Sequence, residues 1–204
     1  MKKPQNGGLL VVIEGIDGAG KTTLRASLAR RLRSEGREVV ETKEPTDGPI
    51  GQRIRRLARE GRGTVTPLEE LELFLEDRAH HVQEVVLPAL GRGAVVLQDR
   101  SYFSTVAYQG GRGLDRALIL ARSQQVAPEP DLLLVLDLTP ETSLSRIARR
   151  GATDDFETLA ELTRVREVFR SFPEARLVDA SRAEDAVFLE AWAYIEDRLS
   201  WDRR

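Results

Sequence analysis

A glycine-rich loop near the N-terminus constrains the fold of this chain more than any other feature. Residues 15–22 read Gly-Ile-Asp-Gly-Ala-Gly-Lys-Thr and directly follow a short apolar run at residues 9–13. In this spacing, glycines let backbone N–H groups turn inward around a phosphate chain, the lysine reaches the terminal phosphates, and the threonine hydroxyl can hold Mg²⁺. The pattern predicts a buried strand, a phosphate-binding loop and a helix. The candidate nucleotide-binding residues are Gly15, Asp17, Gly18, Ala19, Gly20, Lys21, Thr22 and Thr23.

The lysine at position 21 supports this interpretation. Only four of the 31 basic residues are lysines, at positions 2, 3, 21 and 43. A compact ammonium group fits inside a phosphate loop, where a planar guanidinium is too wide. A glycine-rich turn that binds no ligand is the alternative, and the retained lysine argues against it.

The composition is that of a protein with one domain and no disulfides. Its 204 residues are enough for a sizeable core, and its net charge of −2 argues against a nucleic-acid-binding surface. The chain has no cysteine, which excludes disulfides and thiolate metal sites. The N-terminal segment is too polar for a signal peptide, and the apolar run after it is too short to span a bilayer. We therefore expect a cytoplasmic protein without a membrane or nucleic-acid partner.

Apolar segments alternate with helical patterns along the chain, which is typical of a parallel sheet flanked by helices. The predicted strands are residues 9–14, 37–42, 94–98, 132–137 and 176–179. The predicted helices are residues 21–35, 67–90, 102–108, a segment that resumes after a break at 110–113 and extends to 126, 140–150, 156–172 and 183–199. Together they predict an α/β P-loop fold of three layers, with five parallel strands, in a single domain that spans residues 1–204.

Asp99 and Arg100 directly follow one of the predicted strands. Ligands of a parallel sheet bind beyond the carboxyl ends of its strands, so both side chains are expected beside the phosphate loop. Asp99 can bind Mg²⁺ together with Thr22, and Arg100 can bind a phosphate through two parallel hydrogen bonds. A surface ion pair at a strand end is the alternative.

Three segments make a family resemblance specific. The Asp-Arg pair followed by Ser104-x-x-Ala-Tyr-Gln, together with the phosphate loop, resembles the bacterial type of thymidylate kinase. Residues 42–46 (Thr-Lys-Glu-Pro-Thr) resemble the acceptor loop of that family, and residues 73–81 (Leu-Phe-Leu-Glu-Asp-Arg-Ala-His-His) resemble its thymine-contacting helix. The matches are spread over residues 9–151.

The resemblance implies a homodimeric enzyme that transfers the γ-phosphate of ATP to dTMP with Mg²⁺. It implies that Phe74 stacks on thymine and that Arg78, on the same helix face, donates to a base carbonyl. From periodicity alone, Phe74 could equally be a core aromatic. Arg100 is expected to hold the acceptor phosphate. The other acceptor contacts implied are Asp17, Glu44, Pro45, Ser104, Thr105, Tyr108 and Gln109, and the catalytic set is Asp17, Lys21, Arg100, Arg149 and Arg150.

The predicted lid, at about residues 144–157, departs from the family pattern. Arg146, Arg149 and Arg150 share one helical face, which is either a cationic edge toward the phosphoryl group or a solvated basic face. Asp155 stands where the family usually has a lid arginine, and Gly18 stands where animal and fungal forms have an arginine in the phosphate loop.

This departure leaves two possibilities open. Either Arg149 or Arg150 takes the task of the missing arginine, or turnover is reduced, since an arginine finger contributes roughly 10³-fold or more to phosphoryl transfer. A kinase for another nucleotide or for a deoxynucleoside, and a nucleotide-binding regulatory protein with weakened catalysis, are the alternative functions.

The two histidines, His80 and His81, lie next to each other in the predicted helix 67–90. Neither has a further histidine, nor any cysteine, with which to ligate a metal. We expect both on the helix surface.

Overall fold

In the computed structural model, which describes residues 8–149 and 158–201, five strands form one parallel sheet. The strands are β1 (Leu9–Glu14), β2 (Val39–Lys43), β3 (Val95–Asp99), β4 (Leu132–Asp137) and β5 (Ala175–Asp179). Their order in the sheet is β2-β3-β1-β4-β5. The three central strands are almost entirely buried, as expected for a parallel sheet covered on both faces. The predicted five-stranded α/β fold is confirmed, and every predicted strand boundary lies within two residues of the observed one.

Helices flank the sheet and contribute the rest of the core. They are α1 (Lys21–Ser34), α2 (Pro49–Glu60), α3 (Pro67–His81), α4 (Leu87–Gly91), α5 (Tyr102–Gly110), α6 (Arg116–Val126), α7 (Pro140–Arg149), α8 (Leu159–Ser171) and α9 (Glu184–Trp201).

Capping boxes fix where two of the helices begin. The Thr66 hydroxyl accepts from the Glu69 N–H, and the Glu69 carboxylate accepts from the Thr66 N–H, so that α3 begins at Pro67. Thr158 and Glu161 form the same arrangement at the start of α8. This helix was predicted from residue 156, and residues 156 and 157 lie outside the described part of the chain.

The predicted helix 67–90 is continuous but contains one wider turn. Between α3 and α4, residues Val82–Val86 form a π-helical turn in which the N–H of Leu87 donates to the carbonyl of Val82. Pro88 has no N–H, so it cannot continue the ordinary hydrogen-bond ladder to Glu84. The π turn accommodates this break within the helix.

The carboxyl ends of the central strands meet at one edge of the sheet. Ile13 in β1 pairs with Asp99 in β3, and Glu14 pairs with Val135 in β4. The loops that follow these strands therefore open side by side, which brings the phosphate loop next to the Asp-Arg pair. Among the described helices, none is long and apolar enough to cross a membrane.

Candidate active site

The phosphate loop turns directly from β1 into the N-terminus of α1. Three of its glycines have positive φ angles: Gly15 (139°), Gly18 (76°) and Gly20 (96°). At Gly15 a side chain is also excluded by contact, because an added Cβ would lie 2.7 Å from the carbonyl oxygen of Leu136. The free N–H groups at the start of α1 and the helix dipole favour an anion here, as the sequence predicts.

Lys21 is buried at the start of α1 and its ammonium group folds back into the loop. Its Nζ donates to the carbonyl oxygens of Gly15 and Ile16, at 3.0 Å each, and lies 3.4 Å from Oδ1 of Asp17. Burial and the nearby charge of Arg100 lower the pKa of Lys21, and the charge of Asp17 opposes this shift.

Thr22 and Asp99, the predicted metal ligands, are in direct contact. The Thr22 hydroxyl donates to Oδ2 of Asp99 at 3.0 Å. No group of three or more His, Asp or Glu side chains that could hold a metal occurs among the described residues. Two hard oxygen ligands beside a phosphate loop fit a Mg²⁺ ion whose other ligands are water and nucleotide phosphates.

Arg100 adopts a left-handed backbone conformation, with φ of 67°. This conformation is uncommon for a residue other than glycine and costs of order 1–3 kcal/mol. It turns the side chain toward the phosphate loop, where Nη2 binds Asp17 and Nη1 donates to the Ser104 hydroxyl at 3.0 Å. The guanidinium lies 5.4 Å from the centre of the Tyr108 ring, within cation–π distance.

Glu14, which the sequence analysis missed, fixes the turn that carries Arg100. This fully buried carboxylate accepts from the N–H of Ser101 at 2.7 Å and from the N–H and hydroxyl of Ser104 at 3.2 and 2.6 Å. Burial raises the pKa of Glu14, and the charge of Arg100 opposes the shift. The available signal was a glutamate that ends an otherwise apolar strand.

Asp17 connects the two cations of the site. Its Oδ1 atom contacts both Lys21 Nζ and Arg100 Nη2. Burial acts to raise the pKa of Asp17, but Arg100 and Lys21 together hold it well below its usual range. The lysine of the phosphate loop and the arginine after β3 therefore contact the same carboxylate oxygen.

Arg78 forms the centre of a second, fully buried cluster. Only 1% of the residue is exposed. Its Nε donates to Oε2 of Glu44 at 2.8 Å, Nη2 donates to the Thr105 hydroxyl at 2.9 Å, and Nη1 lies 3.5 Å from the Ser123 hydroxyl. Each terminal nitrogen of an arginine carries two N–H groups, so each has a second one that these contacts do not use.

The prediction for His81 was wrong, whereas His80 is exposed as expected. His81 lies on the buried side of α3, with Nδ1 2.9 Å from Oε1 of Glu44 and Nε2 2.6 Å from the Thr42 hydroxyl. It shares a helix face with Phe74 and Arg78, at positions i, i+4 and i+7, so the helical period could have indicated its burial.

The acceptor loop is held against α3 by several contacts. Both oxygens of the buried Asp77 carboxylate bind Thr46, one through its N–H at 2.8 Å and the other through its hydroxyl at 2.6 Å. The carbonyl of Pro45 accepts from Arg55 at 2.6 Å. These contacts position Glu44 beside Arg78.

The remaining predicted acceptor residues lie on α3 and α5. Phe74 is half-buried, and it does not belong to the hydrophobic core that the described residues form. This position argues against a core role. On α5, Thr105 and Gln109 are buried, and Tyr108 is half-buried against the core.

A cavity of about 330 Å³ opens on the other side of the phosphate loop. Its lining includes Gly18, Thr23, Arg149, Arg182 and Phe188. Arg149, one of the predicted catalytic residues, therefore lies at the cavity next to the loop.

The other lid residues are placed differently. Arg146 donates to the carbonyls of Gly18, at 3.3 Å, and Ala180, at 3.0 Å, so it ties the phosphate loop to the segment after β5. Residues 144–149 of the predicted lid belong to α7. Arg150 and Asp155 lie outside the described residues, so their roles stay predictions.

Comparison with known proteins identifies the family of the chain. A family model described as thymidylate kinase matches residues 13–190, which is most of the chain. The chain belongs to the thymidylate kinase family. A thymidylate kinase of Xylella fastidiosa (strain M12) is 46% identical over 195 residues, covering 94% of this chain and 88% of the relative.

Two further thymidylate kinases are similar to the same extent. That of Xanthomonas campestris pv. campestris (strain B100) is 48% identical over 197 residues, 95% of this chain and 86% of its own length. That of Xanthomonas euvesicatoria pv. vesicatoria (strain 85-10) is 48% identical over 203 residues, 96% of this chain and 88% of its own length. Family membership therefore extends over nearly the whole chain, the acceptor loop, α3 and α5 included.

Proposed function

We propose that this protein transfers the γ-phosphate of ATP to dTMP and forms dTDP and ADP. Membership of the thymidylate kinase family supports the reaction and does not favour the alternatives of another acceptor or a regulatory role. The observation that carries the proposal is the contact of Lys21 and Arg100 with one oxygen of Asp17. A donor phosphate at the loop and an acceptor phosphate at Arg100 would meet at that point.

The chemistry asks for positioning and neutralisation of charge rather than for a general base. The phosphate oxygen of dTMP is already ionised and can attack the γ-phosphorus directly, so catalysis rests on alignment and electrostatics. Lys21 binds the donor phosphates and Arg100 the acceptor phosphate, and both cations offset the repulsion between the two anions. Thr22 and Asp99 would hold a magnesium ion, which would supply further positive charge to the reacting phosphates.

Substrate binding has to replace the contacts that Asp17 makes. Phosphates that reach Lys21 and Arg100 compete with its carboxylate, which is then released toward the deoxyribose. Tyr108, which packs beside Arg100, borders the same sugar and leaves little room for a 2′-hydroxyl. The base lies between Phe74 and Arg78 in this arrangement.

Two further properties belong to the proposal: a cytoplasmic location, which was expected from the sequence composition, and a homodimer, which the family resemblance implies. The apolar residues Leu71, Leu73 and Leu75 of α3 are used inside the chain. An interface through this helix would therefore use its exposed Leu68 and the exposed Leu118 of α6. Sedimentation of the purified protein measures its mass, and a monomer at all concentrations contradicts the dimer.

A coupled ADP-release assay with a panel of acceptors tests the function. The panel contains dTMP, dUMP, dCMP, dAMP, dGMP, TMP with a ribose sugar, and thymidine. We expect dTMP to give the highest kcat/KM, and thymidine, which lacks the phosphate bound by Arg100, to give none. A higher kcat/KM with any other acceptor overturns the proposal, and binding of dTMP with background turnover points to the regulatory alternative.

A further inference from the structure

His81 is a buried histidine that has no part in the reaction as derived above. It is 4% exposed, and both ring nitrogens have partners on other elements, Glu44 on the acceptor loop and Thr42 at the end of β2. A buried ring with both nitrogens engaged is restricted to one orientation, since its rotation would break both contacts. The helix therefore holds this imidazole firmly against the Glu44 carboxylate.

The partners of His81 determine which nitrogen carries the proton. An ionised carboxylate only accepts hydrogen bonds, so Nδ1 of His81 has to donate to Glu44. Glu44 is ionised, because the charge of Arg78 and the hydrogen bonds from His81 and Arg78 oppose the effect of burial and hold its pKa below the usual range. In the neutral ring Nε2 then accepts from the Thr42 hydroxyl, at 2.6 Å.

The contact with His81 divides the two oxygens of Glu44 between different partners. Oε1 accepts from His81 and from Gln98 Nε2, at 2.9 and 3.1 Å, and Oε2 accepts from Arg78 Nε at 2.8 Å. An arginine and a free carboxylate usually form two parallel hydrogen bonds. Here the second oxygen is already occupied, so Arg78 gives only Nε to Glu44.

The terminal nitrogens of Arg78 are left to the other side of the cluster. Nη2 reaches Thr105 and Nη1 faces Ser123, both on helices that border the acceptor pocket. A bidentate pair with Glu44 would use one N–H of Nη2, and Thr105 already takes the other, so Nη2 would keep none for the base. The partners of Glu44 therefore decide whether Nη2 retains an N–H for a further acceptor.

We propose that His81 is a positioning residue that occupies one oxygen of Glu44, prevents a bidentate pair with Arg78, and so keeps the terminal nitrogens of Arg78 available to the base of the acceptor nucleotide. The proposal rests on the proposed function for the nature of that base. It concerns the acceptor side alone and leaves the ATP side unaffected.

Kinetics of three histidine variants test the proposal. His81→Leu removes the shorter of the two hydrogen bonds to Oε1 of Glu44 and leaves that of Gln98, and His81→Asn keeps a side-chain N–H close to the position of Nδ1. We expect His81→Leu to raise the KM for dTMP about 10-fold or more, as for loss of a hydrogen bond to a charged group, with the KM for ATP unchanged. We expect His81→Asn to have a KM for dTMP close to that of the wild type and to keep the preference for dTMP over dCMP. His80→Leu, at the exposed neighbour, is the matched control and should behave as the wild type.

Other kinetic outcomes contradict the proposal. An unchanged KM for dTMP in folded His81→Leu overturns it, and so does an equal rise in both KM values, because a general structural defect predicts that result. Failure of His81→Asn to recover activity overturns it as well.

Two structural measurements decide the matter without activity. In the wild type, ¹⁵N NMR of the two histidine rings should show a proton on Nδ1 of His81, and a bare Nδ1 overturns the proposal even if the leucine variant does not fold. A crystal structure of His81→Leu should show both oxygens of Glu44 on Arg78, and an unchanged Glu44 overturns it. If the wild type does not phosphorylate dTMP, the proposed function fails, while these two measurements still judge the role of His81.

Discussion

Two arginines of the proposed acceptor site, Arg78 and Arg100, are held in opposite ways. Arg78 projects from a helix into the interior, and its partner Glu44 is buried as well. Arg100 follows a strand in a left-handed conformation, and its partner Asp17 has 45% of its side chain exposed. One pair is part of the core, and the other lies at the mouth of the site.

The difference in burial distinguishes an ion pair that is fixed on folding from one that changes when the substrate binds. A buried ion pair that loses one member leaves an unpaired charge without water, which is strongly unfavourable. The Arg78–Glu44 pair therefore stays intact when a nucleotide binds. A partly exposed pair is compensated by water when it opens, so Arg100 can exchange Asp17 for a phosphate at a lower cost. The base end is preorganised, and the phosphate end responds to its ligand.

The largest effect is expected at the phosphate end. Arg100→Ala removes the cation that faces both phosphates, and we expect kcat/KM for dTMP to fall about 10³-fold or more, as for other arginines that stabilise a phosphoryl transition state. A coupled assay measures the loss, and thermal unfolding should show a fold close to that of the wild type. Arg92→Ala, which breaks an exposed pair with Glu38, is the control. A loss for Arg100→Ala below tenfold contradicts the role of this residue.

The second-largest effect concerns stability and is expected at the buried Arg78–Glu44 pair rather than at Arg100. Glu44→Ala leaves the Arg78 charge unpaired in the interior and should lower the free energy of unfolding by about 3–5 kcal/mol. Asp17→Asn weakens a pair that is only partly buried, with 18% of the Arg100 side chain and 45% of the Asp17 side chain exposed, and should lower it clearly less than Glu44→Ala does. Urea unfolding at pH 7 compares the two, and equal losses would mean that the two pairs do not differ as described.

The pH dependence of Glu44→Ala sharpens this comparison. Because the folded-state pKa of Glu44 is below that of an unfolded glutamate, its contribution is complete above the unfolded value. It is lost as the pH falls through the folded-state pKa. The stability gap between the wild type and Glu44→Ala should therefore narrow in acid, and a constant gap contradicts an ionised Glu44.

The smallest effects come from one serine beside each arginine. Ser104 lies 3.0 Å from Arg100 Nη1 and also binds Glu14, whereas Ser123 lies 3.5 Å from Arg78 Nη1, at the outer limit of a hydrogen bond. We expect Ser104→Ala to raise the KM for dTMP about fivefold to tenfold. Ser123→Ala should change it less than about twofold, since so long a contact contributes little. Similar changes in the KM for dTMP in both variants would contradict the predicted difference between the two serines.

Local patterns in the sequence were sufficient for the sheet and the phosphate loop. Continuous apolar runs predict the buried parallel strands, and the strand-end rule predicts that the segment after β3 meets the loop after β1. The role of Glu14 was not predicted because its partners are Ser101 and Ser104, some 87 to 90 residues away along the chain. Only the order of the strands brings them together.

The burial of His81 illustrates a different limit. The helical period that unites Phe74 and Arg78 extends to His81, so a shared face could have been predicted. The sequence does not indicate that the acceptor loop lies on this face and delivers Glu44 to it. Without that partner, a histidine near the end of a charged helix is most simply assigned to solvent.

The interior position of Arg78 also affects how the accepted base can change in evolution. A single mutation of this arginine leaves the Glu44 carboxylate in the interior without its cationic partner. The mutant protein therefore loses stability before it gains a preference for another base. Redesign for another base is therefore expected to need simultaneous replacement of both charges, or a parent protein with stability to spare.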